Sequence, residues 1–75
     1  MKVGDRVIAL RALWSGDIGP KGIVPFSRGI IVERLKLGVF KDVQFDDGKK
    51  ANGCTPGAHI ELEAVYDSPL YQALL

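Results

Sequence analysis

Nine glycines and four prolines punctuate this chain, and they fall between short apolar runs instead of inside them. That spacing constrains the fold more than any other feature. It leaves segments of strand length and little room for helices of three or more turns, so tight turns joining short strands are expected. Seventy-five residues make one domain. A hydrophobic fraction of 47% is too high for a disordered chain. The single cysteine, Cys54, cannot close an intramolecular disulfide, so the core has to hold without one, as suits a reducing cytoplasm. The opening MKVGDRV has no signal-peptide core, and no run approaches the ~20 apolar residues of a membrane span. A cytoplasmic protein is expected.

The runs themselves read as strands. Arg6–Leu13 is led by β-branched residues, with Val7 and Ala9 alternating with Ile8 and Leu10. Three glycines and a proline make Trp14–Gly22 a long loop. Gly22–Phe26 is a short β-type run with Pro25 marking an edge or bend, and Ser27–Gly29 is a turn. Gly29–Leu35 contains three consecutive β-branched residues, which penalise a helix. Val39–Phe45 is the next strand. Asp46-Asp47-Gly48 is a hairpin signal, because Asp-Gly suits positive φ, and it places Val43 and Phe45 in the core. Lys49–Gly53 is the return strand. Ala58–Val65 alternates strictly, with Ala58, Ile60 and Leu62 on one face and His59, Glu61 and Glu63 on the other. After it, Asp67 or Ser68 can cap a short helical turn with Pro69 at its first position.

About five or six short strands in so small a chain are best closed into a strongly bent barrel, which removes exposed edges. "GDRVIAL", the glycine-led "GIIVE", the hairpin "VQFDDG" and the closing "HIELE" resemble the SH3-like small barrels of the Tudor and KOW kind, over Lys2 to Glu63. The opening "KVGDRV" is also similar to small barrel subunits of photosynthetic and redox complexes. The resemblance implies an all-β SH3-like barrel over residues 1–66. A tail over 67–75 would pack on the barrel or on a partner. A Tudor-like aromatic cage for methylated lysine would draw on Trp14, Phe40, Phe45 and Tyr66.

Function is carried by fewer residues. Trp14, Ile18 and Phe26 belong to the long loop and its exit, where they could anchor a protein segment. Trp14 could equally cap the barrel core. Asp46 and Asp47, beside Phe45 at the hairpin, could steer a basic partner. A binding or adaptor module, or a small accessory subunit, is the reading these residues favour. The alternative is a nucleic-acid-binding barrel using Arg28, Arg34, Lys36, Lys41, Lys49 and Lys50 on one face, although ten basic against nine acidic residues give a formal net charge of only +1. A third is a homo-oligomer formed through the apolar tail. Enzymatic chemistry is not expected. Gly16–Gly22 lacks the ending of a phosphate loop, Cys54 and His59 have no orienting third group, and neither a metal nor a cofactor set is present.

Overall fold

The computed structural model describes residues 1–13, 22–32 and 41–75. Trp14, Ile18, Arg34, Lys36, Phe40 and the glycine-rich loop 16–21 lie outside them. The described residues form five strands, β1 (Arg6–Ala9), β2 (Arg28–Val32), β3 (Lys41–Phe45), β4 (Lys50–Cys54) and β5 (Ile60–Leu62). Two short helices, α1 (Glu63–Tyr66) and α2 (Pro69–Ala73), follow. The strands make one antiparallel sheet in the order β4-β3-β2-β1-β5, curled into a half-barrel. The small all-β fold with a short C-terminal helix is therefore as the sequence implies.

Period-two alternation builds the core. Val7 and Ala9 of β1, Ile31 of β2, and Val43 and Phe45 of β3 enter one buried cluster with Ile23, Ala51, Cys54 and Ile60. Phe45 is 2% exposed and is the largest of the buried side chains. Ile8 points the other way and is still buried, because α1 packs against β1 on the opposite face. Cover on both faces explains why Val7, Ile8 and Ala9 of β1 are apolar in succession.

Two local devices set the register. Gly29 pairs with Phe45, and a Cβ on Gly29 would lie 2.6 Å from the Gln44 carbonyl oxygen and 2.9 Å from Phe45 Cα. Only glycine lets β2 and β3 approach so closely. In the β3–β4 hairpin, Val43 faces Ala51 while Lys41 faces Cys54, so β4 carries one extra residue. Gly53 absorbs it at φ +73, and its N–H donates to Asp42 Oδ1 at 3.0 Å. The bulge explains how Ala51 and Cys54, three apart, both reach the core.

The structure corrects four boundaries. The first strand stops at Ala9, and Leu13 meets Ile23 only in an isolated bridge. The turn expected at Ser27–Gly29 begins three residues earlier, at Val24–Ser27, so Arg28 and Gly29 are already strand. The return strand runs to Cys54. The alternating stretch 58–65 is strand only over Ile60–Leu62, and Glu63 opens a helix. The tail follows its sequence signal, with Ser68 as N-cap, its Oγ accepting from Tyr71 N–H at 3.2 Å, and Pro69 at the first turn.

Candidate binding surface

Val24, Pro25, Phe26 and Ser27 form a tight turn that leads into β2. Ser27 N–H donates to the Val24 carbonyl at 3.2 Å, and Phe26 N–H donates to the Ala9 carbonyl at 2.8 Å. Proline at the second position and positive φ at the third follow the type II pattern, whose third position belongs to glycine or asparagine. Here it is Phe26, at φ +68, the one described non-glycine residue with positive φ. The residue is 57% exposed. A strained backbone is therefore holding a large apolar ring in water.

Phe26 is not isolated. Its ring lies 6.0 Å from that of Tyr66 at the end of α1, and Tyr66 lies 5.4 Å from Tyr71 in α2, both tilted. Such spacings are typical of favourable aromatic pairs. Val24 on the same turn and Leu70 on α2 are also exposed. The Ser68 cap and Gln72 donating to the Tyr66 carbonyl tie α2 to α1.

Beside the aromatic row runs a chain of five charges. Asp46 accepts a bidentate pair of bonds from Arg6, at 2.8 and 2.7 Å. Asp67 accepts a second pair from Arg28, at 2.7 and 3.0 Å. Glu63 lies between them, 3.1 Å from Arg28 Nη1 and 3.6 Å from Arg6 Nη2. The Arg6 hydrogen bonds hold the Asp46 carboxyl below its ordinary range against an opposing desolvation, and Arg28 does the same for Asp67. Both guanidinium groups are raised in turn, first by these hydrogen bonds.

These contacts place the candidate residues. Phe26 is exposed, as an anchor has to be. Phe45 lies in the core and presents no surface to a partner or to an aromatic cage. Asp46 is answered by Arg6. Asp47 Oδ1 accepts from Lys49 N–H at 2.9 Å, with Lys49 Nζ 3.6 Å from its other oxygen. The two hairpin aspartates thus spend their charge within the chain. Among the basic residues, Arg28 is committed to Asp67 and Glu63, and Lys49 Nζ also reaches the Gly22 carbonyl at 3.5 Å. The register puts Lys50, opposite Gln44, on the face away from Val43, whereas Lys41 shares the parity of Val43. Cys54 is 3% exposed, and His59 Nδ1 accepts from Thr55 N–H at 2.9 Å. No group of three or more metal-ligating side chains occurs among the described residues, and none of their helices is long and apolar enough to cross a membrane.

Sequence reasoning passed over Tyr71 and Val24 and did not join Tyr66 to Phe26. The signal was present in part, since Pro25 two residues before Ser27 marks a turn. A proline turn can be type I or type II, however, and only the second raises φ at the next residue. No protein-family model matches the chain, and no curated protein or solved structure matches it.

Proposed function

We infer that this chain is a non-enzymatic binding module, an adaptor or small accessory subunit, that takes up a protein segment on the apolar surface around Phe26. The observation that carries this reading is Phe26 itself. A residue at φ +68 that gained nothing from its side chain would be better served by glycine, yet an exposed phenylalanine stands there. Tyr66 and Tyr71 extend the surface, and rigid aromatic side chains give large contact area at small entropy cost. The half-barrel supports an SH3-like reading of the Tudor and KOW kind at the level of fold. The partner recognised by this chemistry is a peptide segment with an apolar or aromatic anchor. Charge steering plays a small part, because the nearby aspartates are already paired.

The test is site-directed photocrosslinking in cells. A benzophenone amino acid is placed at position 26 and, as a control, at position 2, an exposed residue that lines neither this surface nor a pocket. The expected result is a discrete protein adduct at position 26 alone, competed away by excess wild-type chain and not by Phe26→Gly. Equal adducts at both positions, or competition by Phe26→Gly as effective as by wild type, refutes the reading.

A further inference from the structure

A second site lies away from the aromatic row. Beyond β1 the chain passes Arg11 and Leu13, and these residues face the β4 edge and His59 across a shallow pocket of about 210 Å³. Leu13, Ala51 and Cys54 give it an apolar floor, while Arg11, Asn52 and His59 stand on its polar side. No aspartate or glutamate is among the described lining residues.

The donors converge for separate reasons. Arg6 and Arg28 are each closed by a bidentate carboxylate, but Arg11 makes no ion pair among the described residues. Its fork geometry is suited to a planar carboxylate. His59 Nδ1 is fixed as an acceptor by the Thr55 N–H. The ring proton therefore sits on Nε2, which is left as a donor. Asn52 is exposed and adds an amide N–H₂. Three donor side chains, no described acid and an apolar floor describe an anion of a particular kind.

We propose that this pocket binds a small carboxylate carrying a short apolar group, as at the C-terminus of a peptide or in a free short-chain acid. Arg11 pairs with the carboxylate, His59 Nε2–H and Asn52 donate to it, and the apolar group rests against Leu13, Ala51 and Cys54. The volume admits an amino-acid-sized group and little more. This proposal does not depend on the Phe26 surface.

The experiment is a titration followed by backbone amide NMR shifts, with N-acetylalanine, propionate, N-acetylalaninamide and inorganic phosphate as probes. The expected result is saturable shifts confined to residues 11–13, 51–55 and 59, with a dissociation constant of about 1 mM for a ligand of this size. N-acetylalaninamide, which lacks the carboxylate, should not bind, and phosphate should bind at least about tenfold more weakly. Tighter binding of N-acetylalanine than of propionate assigns a peptide terminus, and the reverse a free acid. Arg11→Gln should weaken binding about tenfold. His59→Asn keeps an acceptor for the Thr55 N–H but deletes the Nε2 donor, so it should weaken binding while leaving the amide spectrum folded. Unsaturable shifts, equal binding of the amide or of phosphate, or full affinity in Arg11→Gln overturns the proposal.

Discussion

Replacing Phe26 by alanine and by glycine separates the backbone from the ring. Both variants lose the 6.0 Å contact with Tyr66, which contributes roughly 0.5–1.5 kcal/mol beyond the ring's area burial. In the folded chain they differ in what φ +68 asks of them. A Cβ in the left-handed region costs about 1–2 kcal/mol, which alanine bears and glycine does not. Against this, glycine loosens the unfolded chain and gives back roughly 0.4–1 kcal/mol. Phe26→Gly should therefore be more stable than Phe26→Ala by about 1 kcal/mol, or about 5 °C in Tm for a chain of this size. At an ordinary strand or helix position the order is the reverse. Urea unfolding followed by far-ultraviolet circular dichroism, with equal m-values in the two variants, measures the difference. An alanine variant as stable as the glycine variant, or more so, means that Phe26 is not held at positive φ, and the argument for a functional ring falls with it.

Other outcomes follow from the same geometry. Gly29→Ala should destabilise the fold by at least about 2 kcal/mol in urea melts, since the methyl collides with the β3 backbone instead of a yielding side chain. Asp46 and Asp67 have depressed carboxyl groups, so the stability they contribute is fully present above their unfolded range near pH ~4 and is lost as pH falls through their lower folded values. In Asp46→Asn the loss of stability below about pH 4 should accordingly be shallower than in wild type, as melts between about pH 2 and 5 would record. Ser68→Ala removes the cap of α2, a change of about 1 kcal/mol seen as faster amide exchange at Tyr71 with little change in the β-strand amides. The Cys54 thiol, 3% exposed, should react with an aromatic disulfide reagent only on the unfolding timescale, and rapid reaction in the native state would contradict its place in the core.

The strands were legible because their signals are local. The β-branched run Gly29-Ile30-Ile31-Val32 and the alternation ending in Val43 and Phe45 each fix a face without reference to the rest of the chain. Asp46-Asp47-Gly48 fixes its own turn, with Gly48 at φ +91. What failed depended on distant partners. Glu63 and Ala64 continue the alternation of β5, yet the chain turns helical at Glu63, whose carboxylate lies between Arg6 and Arg28. The hairpin aspartates read as an open acidic rim because Arg6 is 40 residues away in sequence from Asp46. The β4 bulge escaped notice for a related reason, as a glycine after asparagine marks either a turn or an extra strand residue. Phe26 lay within the candidate anchor set, but its conformation is set by how Pro25 bends the chain back onto Ala9.

The charge chain Asp46–Arg6–Glu63–Arg28–Asp67 also orders events in time. During vectorial synthesis both arginines emerge before two of their three carboxylates, Glu63 and Asp67. Strand β5, which borders β1, arrives just before them. Until it does, β1 is an open edge with Ile8 uncovered, the condition under which nascent strands pair with the wrong neighbour. The C-terminal segment thus serves as the closing step of folding, and a ribosome-stalled chain ending before Ile60 should remain sensitive to protease and dependent on chaperones, whereas one extended past Leu75 and clear of the exit tunnel should not.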